Sequence, residues 1–436
     1  MKYAVITFGC RVNQADSLGF EEQLRGRGAI ASPPESADIV VVNTCSVTAT
    51  SDQGARQTIR RVARDNPNAK IVVTGCYATR RPDEVAALPN VVRVVSNGDK
   101  PRLVRIMTKA TAEDAEGSSR SGVSAHSAVS LSTAERFGDG DGACGAAIEP
   151  GVAGRTAYTL RVQTGCAEPC AYCIIPSTRG APQSVPPGEV LREAERIVAA
   201  GFKEIALTGV HLGSYGRDLQ PRSSLHELLC RLADVPVLFR ISSLEPMDCS
   251  LDVVDLVATR DSFAPHLHLP LQHASDRVLA AMRRPYTIEQ YASLVDRIRT
   301  QIPDASIGSD VIVGFPGETD EDFGELACYL EQSPLTHLHV FPYSDRPGTA
   351  ASSIEGKVHG AVIRDRAHRV REIGRRLSDR FHDRQIGTTH RGLTLDDGSL
   401  VVTENYLKLR IAVPQPRNAW VRVRVTSHHD GELLAG

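Results

Sequence analysis

Two long stretches of the chain alternate between β-type apolar runs and helix-compatible segments. That alternation restricts each stretch to a parallel sheet covered by helices. In the first, the apolar runs are 3–8, 39–43, 71–74 and 91–95, separated by helical patterns near 14–28, 50–65 and 82–88. In the second, from Ala157 to about Tyr343, the strand candidates are 158–162, 205–208, 238–242, 266–271, 307–313 and 337–341. Helical patterns separate them, among them 187–200, 225–232, 288–301 and 320–332. A complete eight-fold β/α barrel takes about 250 residues. Six repeats in fewer than 200 residues therefore predict an open, partial (β/α)6 barrel.

The pattern stops between the two stretches. Of the 45 residues 110–154, 25 are Gly, Ser or Ala, too few long apolar side chains to build a core. The segment reads as a flexible linker or surface insertion, and Cys144 within it as an idle thiol. After the second stretch, 357–384 reads as one helix carrying nine Lys/Arg against four Asp/Glu. The tail has short alternating runs at 392–395, 400–402, 406–413 and 419–425 with Gly and Pro turns between them, which predicts a small all-β barrel. The chain is thus a multidomain α/β protein: an amino-terminal parallel α/β domain (1–109), the linker (110–154), the partial barrel with its trailing basic helix (155–378) and a small carboxy-terminal β-barrel (379–436).

Composition removes several function classes. Fifty basic residues against 52 acidic ones give a net charge of −2, so the chain is no basic nucleic-acid coat, although a local basic patch is allowed. No apolar run approaches the roughly 18 residues of a membrane span, and the amino terminus has no signal-peptide layout. A cytoplasmic, reducing setting is expected. There, clustered cysteines among the ten present mean metal binding or catalysis rather than disulfides.

The densest cluster is Cys166, Cys170 and Cys173, spaced C-x3-C-x2-C directly after a strand. Three thiolates on so short a loop can wrap one metal centre. Structural zinc takes four ligands, and no fourth Cys or His lies nearby in sequence. Three thiolates on a 4Fe-4S cluster leave one iron open. A three-cysteine zinc site with a distant fourth ligand is the other reading. A second set, Cys10, Cys45 and Cys76, is dispersed, but each cysteine comes two residues after an apparent strand end, about one strand–helix–strand unit apart. In a parallel sheet those strand ends share one edge, where ligands bind. Geometry alone leaves two readings: a thiol site, or three small buried residues that recur.

The C-x3-C-x2-C loop, with Tyr172 before its last cysteine, resembles the radical S-adenosylmethionine superfamily. The segments 9–14 (GCRVNQ), 42–45 (VNTC) and 74–77 (TGCY) resemble the amino-terminal domain of the methylthiotransferases within it. The similarity spans nearly the whole chain except the linker, and the tail resembles the TRAM RNA-binding barrel. The resemblance implies a sulfur-group transferase with two 4Fe-4S clusters, held by Cys166, Cys170 and Cys173 and by Cys10, Cys45 and Cys76. It implies S-adenosylmethionine as both methyl donor and radical source. A tRNA anticodon loop is the implied partner, together with a flavodoxin- or ferredoxin-type electron donor.

Three substrate branches exist in that family: isopentenyladenosine in tRNA, N6-threonylcarbamoyladenosine at tRNA position 37, and an aspartate of a ribosomal protein. The segments 9–14, 208–216 (TGVHLGSYG) and 339–344 (HVFPYS) favour the threonylcarbamoyladenosine branch, with Leu212 and the long linker as departures from it. A rival of another class is an RNA-binding scaffold with structural metal.

Other residues carry two readings each. Gly209, Gly213 and Gly216 follow a strand whose end, in the superfamily, approaches S-adenosylmethionine; the alternative is a simple loop. Glu245 and Asp310 lie in segments resembling the family's active-site face and serve either there or as caps and turn residues. His266 and His268 share one side of a strand, where packing or substrate-lining contacts are expected and metal ligation is the alternative. Cys230, Cys249 and Cys328 are inert fillers. Arg56, Arg60 and Arg64 recur every four residues and face either tRNA phosphate or water. The basic helix, Asn405, Tyr406, Arg417, Arg422 and Arg424 are candidates for gripping RNA, with a structural brace as the alternative for the helix.

Overall fold

The computed structural model describes residues 1–46, 48–107, 156–429 and 431–436. The linker 110–154 with Cys144 lies outside them. The described residues form two compact units. The first holds residues up to 107 together with Ile175–Gly180, and the second holds 156–174 and everything from 181 onward.

The first unit is a five-stranded parallel sheet ordered β2-β1-β3-β4-β5, where β1 is Lys2–Thr7, β2 Ile30–Ala31, β3 Ile39–Thr44, β4 Lys70–Gly75 and β5 Val91–Val95. The central strands β3 and β4 are buried on both faces, as their runs of Ile and Val require. Val40, Val42, Ile71 and Val73 pack toward the helix Ala49–Asp65, whereas Ile39, Val41 and Val72 pack toward the helix Arg11–Gly26. The four strands read from sequence are present; β2, two residues long, carried no signal.

The second unit opens with six parallel strands in chain order: β6 (Tyr158–Arg161), β9 (Glu204–Thr208), β10 (Leu238–Ile241), β11 (His266–His268), β12 (Ser306–Val313) and β13 (His337–Pro342). A two-residue hairpin, β7 (Gln163–Thr164) with β8 (Gln183–Ser184), sits beside the first. The strands pair as two three-stranded sheets, β6-β9-β10 and β11-β12-β13. A Phe239–Phe263 bridge and the bond from Leu244 N–H to His268 C=O (2.9 Å) join them. This is the open six-fold barrel expected.

Several covering helices begin on a side-chain cap. Thr287 and Gln290 form a capping box on Ile288–Gln301, and Thr319 with Asp322 forms one on Asp320–Gln332. Helix Leu225–Leu232 buries Leu225, Leu228, Leu229 and Leu232, each contributing about 1.5–3 kcal/mol of transfer free energy. Two short helices were not foreseen, Leu251–Thr259 and Asp276–Ala281.

Strand parity decides what the barrel encloses. Phe239, Ile241, Leu267, Ile307, Val311, Leu338 and Val340 pack on the helices. The opposite parity turns Glu204, Arg240, His266, His268, Asp310 and His339 into the lumen. The inner wall is therefore polar.

The long helix runs from Gly360 to Gln385, starting three residues later than the sequence suggested. Much of its charge is spent inside the protein. Arg366 is buried and bonds Glu318 (2.7 Å) and Asp320 (2.6 Å), Arg376 pairs with Glu331 (3.2 Å), Arg380 donates to Ser333 C=O (2.5 Å), and Arg384 to Pro303 C=O (3.2 Å). It braces the barrel.

The tail closes into a five-stranded barrel from β14 (Thr389–Leu395), β15 (Leu400–Thr403), β16 (Lys408–Ile411), β17 (Trp420–His429) and β18 (Glu432–Ala435), in the order β14-β15-β16-β18-β17. Phe381 of the long helix enters its core with Val401, Leu409, Val423 and Leu433. Arg422 and Arg424 stand exposed, alternating with the buried Val423 and Val425. Asn405 and Tyr406 do not face outward as the sequence reading had them. Asn405 is buried against Gln385 and the Asp304 carbonyl, and Tyr406 lies against Arg240 and His266 in the lumen.

Candidate functional site

In the first unit the three dispersed cysteines follow adjacent strands. Thr7 pairs with Asn43, and Thr44 with Gly75, so Cys45 and Cys76 continue the register side by side while Cys10 leaves the neighbouring strand β1. Cys45 and Cys76 follow their strands at once, not after a gap of one residue, and Cys10 trails β1 by three. All three stand at one sheet edge.

Two glycines make the approach possible. Gly75 has φ +100, and a Cβ there would run into the Thr44 backbone. Gly9 has φ +86, and a Cβ there would lie 2.5 Å from the Cys45 Sγ. Gly9→Ala is therefore expected to displace Cys45 and to cost the protein about four irons of about eight, read as iron per chain after anaerobic reconstitution; full iron content would overturn this packing argument.

The edge is cationic. Cys10 caps the helix Arg11–Gly26, whose dipole favours negative charge. Arg179, from the short helix Ile175–Arg179, is almost fully buried. Its guanidinium donates to Asn13 Oδ1 (2.5 Å) and lies 3.7 Å from Asp16. Burial alone would lower the Arg179 pKa, but the neighbouring Cys76, Asp16 and Cys10 raise it, so the guanidinium stays charged beside two thiols. Lys100, also buried, bonds Asp16 (2.6 Å) and Asn13 (3.1 Å); desolvation lowers its pKa and Asp16 works against that. Asn97 Nδ2 reaches Cys76 Sγ at 3.6 Å. A buried guanidinium beside the sulfurs suits an anionic iron–sulfur centre better than a neutral packing site. Nothing in the strand pattern signalled Arg179, because it comes from far along the sequence.

In the second unit Cys166, Cys170 and Cys173 lie on the loop after β7, at the carboxyl end of the barrel strands. Gln163 anchors its start by donating to Gly165 C=O (2.8 Å) and accepting from His211 N–H (2.9 Å). Its middle is held by Ala171, whose N–H bonds Met282 C=O (3.0 Å) and whose C=O accepts from Ala351 N–H (2.7 Å). Arg284 is buried, donates to Cys170 Sγ (3.1 Å) and to the Tyr286 hydroxyl (3.2 Å), and pairs with Glu245. Burial pushes the Cys166 thiol up to about 11 and raises Cys170, with Arg284 pulling the latter back. Such thiols ionise when a metal takes the proton's place. This donor set, three sulfurs and one buried guanidinium, fits a three-thiolate cluster. Glu245, left open between two roles by sequence, is Arg284's partner.

Gly209, Gly213 and Gly216 each have a packing reason within the protein. A Cβ would meet Gln163 at Gly209, Asp248 at Gly213 and the Ser223 backbone at Gly216. His211 joins this group, its Nε2 2.9 Å from Asp248.

On the inner wall Asp310 Oδ1 is 2.8 Å from His268 Nε2 and 3.1 Å from His339 Nδ1. Burial would raise the Asp310 pKa, but the bonds from His268 and His339 hold it well below the usual carboxylate range. Burial drives His337 down to about 3, so it is neutral. Cys249 is buried, its thiol pushed up to about 12, while Cys230 and Cys328 are exposed on helices. Arg56 is committed to the Tyr77 hydroxyl (3.1 Å) and Glu84 (3.0 Å), whereas Arg60 and Arg64 are exposed.

Residues 160–330 match the Radical SAM superfamily, and residues 2–97 match the family described as Uncharacterized protein family UPF0004. The solved structure of the radical S-adenosylmethionine methyltransferase TsrM from Kitasatospora setae, with cobalamin and a 4Fe-4S cluster bound, shares the fold. Its TM-score is 0.57 at 15% identity, covering 80% of this chain and 74% of that one. Barrel, cysteine loop and family match together define a radical S-adenosylmethionine enzyme.

The chain is 37% identical over 379 residues, 86% of its length and 80% of the relative's, to the threonylcarbamoyladenosine tRNA methylthiotransferase MtaB of Bacillus subtilis (strain 168). It is 34% identical to the MtaB of Aquifex aeolicus (strain VF5) over 94% of this chain and 96% of that one. It is 33% identical to the tRNA-2-methylthio-N(6)-dimethylallyladenosine synthase of Thermobifida fusca (strain YX) over 88% and 76%. The chain belongs to the tRNA methylthiotransferase family of radical S-adenosylmethionine enzymes.

Proposed function

We propose that the protein converts N6-threonylcarbamoyladenosine at position 37 of tRNA to its 2-methylthio derivative. Its membership of a family whose similar relatives are named for that substrate carries the reading. The family's cofactors are two 4Fe-4S clusters and S-adenosylmethionine. Reductive cleavage of S-adenosylmethionine supplies a radical able to abstract hydrogen from an unactivated aromatic carbon, which acid–base chemistry cannot do.

In this reading Cys166, Cys170 and Cys173 hold the radical centre, and Cys10, Cys45 and Cys76 the sulfur-carrying centre. Arg284 fixes Cys170 and neutralises Glu245 beside it. Arg179 keeps the edge of the first unit positive, and Lys100 holds Asp16 and Asn13 in place. Gly209, Gly213 and Gly216 shape the loop proposed to receive S-adenosylmethionine. The base must leave the anticodon-loop stack, at a cost of about a few kcal/mol. Arg422 and Arg424 on the small barrel, with the outward arginines of the long helix, would offset that by binding phosphate. A flavodoxin- or ferredoxin-type protein is the proposed electron donor and the cytoplasm the proposed compartment; no helix among the described residues is long and apolar enough to cross a membrane.

Mass spectrometry of tRNA nucleosides from cells with and without the gene tests the reading. Loss of the 2-methylthio derivative, with threonylcarbamoyladenosine accumulating in its place, is the expected result. Loss of 2-methylthio-isopentenyladenosine instead would move the enzyme to the branch of the Thermobifida fusca relative.

A further inference from the structure

Neighbouring strands of the barrel bring two imidazoles and a carboxylate to one point on the inner wall. His268 ends β11, Asp310 lies within β12 and His339 within β13, and Asp310 pairs in register with His339. The ligand atoms of the three all lie within 4.8 Å of one another. We propose that His268, Asp310 and His339 form a binding site for a first-row divalent cation, distinct from both iron–sulfur centres.

The donor chemistry argues for it. Two imidazole nitrogens and one carboxylate, with positions left open, suit zinc or iron(II), whereas magnesium and calcium take oxygen alone. Both rings point a nitrogen at the same oxygen, Oδ1, at 2.8 and 3.1 Å. Ligands about 2.0–2.2 Å from one tetrahedral ion stand roughly 3.3 Å apart, so the three need little movement to share a cation. The other carboxylate oxygen, Oδ2, accepts no hydrogen bond from the described residues.

The surroundings supply space and an entry path. Gly308 sits between His268 and His337 in register, and a Cβ there would enter both rings. The His337 ring lies 5.8 Å from that of His268 and 5.7 Å from that of His339, with its Nδ1 engaged by the Thr336 hydroxyl (3.1 Å). The His339 side chain is 59% exposed, so the site opens to solvent on one side, where water or another oxygen ligand completes the coordination. The other His/Asp group, Asp379, His382 and His428, lies on the surface, with Asp379 and Asp383 more than half exposed beside His428.

Elemental analysis of the iron-replete protein tests the site. The protein is equilibrated with one equivalent of Zn²⁺ and passed through a weak chelator. Wild type should retain about one zinc per chain. Asp310→Asn, which keeps the side chain's size, and His339→Ala, on the exposed side, should each weaken retention at least about tenfold with iron content unchanged. His428→Ala should have no effect. No zinc in the wild type, equal zinc in the Asp310 and His339 variants, loss in the His428 variant, or zinc bound only as iron is lost would each overturn the proposal. None of these readouts requires tRNA turnover, so the site can fail while the assigned reaction stands.

Discussion

Cys45→Ala is expected to abolish methylthio transfer while leaving S-adenosylmethionine cleavage measurable, and Cys170→Ala to abolish both. The two residues lie in different units, each in its own three-cysteine set. Cys45 is buried next to Cys76 in the sheet register, and its Sγ would lie 2.5 Å from a Cβ at Gly9. Under the proposed assignment, losing one of three thiols removes a cluster ligand from its set. Each variant should therefore fall from about eight irons per chain to about four. The Cys45 variant should still release 5′-deoxyadenosine under a strong reductant, and the Cys170 variant should release none. Thiolation surviving in the Cys45 variant would separate the amino-terminal thiols from sulfur insertion. An unreactive protein that retains about eight irons would place the defect outside the clusters.

Arg284→Gln is expected to lower activity about 10–100-fold, the usual cost of removing a partner that orients a metal ligand. The side chain is 1% exposed and holds Cys170 Sγ at 3.1 Å while pairing with Glu245. Burial disfavours the charged guanidinium, but Glu245, Tyr172, Tyr286 and Cys170 more than compensate, so it is cationic at every working pH. Its removal strips a charge-assisted hydrogen bond from sulfur and leaves Glu245 facing the thiolates. Both changes favour the oxidised cluster, so the reduction potential should move to more negative values. Spectroscopic titration of the reduced cluster reads this directly, and Arg284→Lys, which keeps the charge but not the fork, should recover part of it. An unchanged potential in the Gln variant would reduce Arg284 to a packing residue.

Much of this architecture was legible because its elements are local. Helices Leu225–Leu232, Ile288–Gln301 and Asp320–Gln332 match their sequence spans at both ends, since apolar periodicity and capping residues Ser224, Thr287 and Thr319 mark them. The cysteine sets were legible from spacing and from strand ends. What stayed hidden depends on distant pairing. Arg284 lies 114 residues from Cys170, and His268, Asp310 and His339 meet only because three parallel strands fall into register. Arg179 joins the first unit although the barrel's chain surrounds it in sequence. Helix Leu251–Thr259 was missed because a nine-residue, mostly apolar stretch does not separate helix from strand. Tyr406 was misplaced because an aromatic beside a tail strand looks exposed until the turn, at φ +70, folds it inward.

That inward turn has a consequence for the enzyme as a machine. Arg240 is 1% exposed, paired with Glu204 (3.0 Å) and donating to the Thr403 and Glu404 carbonyls, with Tyr406 stacked 4.8 Å from its guanidinium. The carboxy-terminal barrel thus corks the lumen at the amino-terminal ends of the strands. A chain cut after the long helix would lose that stopper and admit water to the lumen from below. Truncation would therefore strip the cover from the Arg240–Glu204 pair and loosen the base of the strands, as well as removing the exposed Arg422 and Arg424.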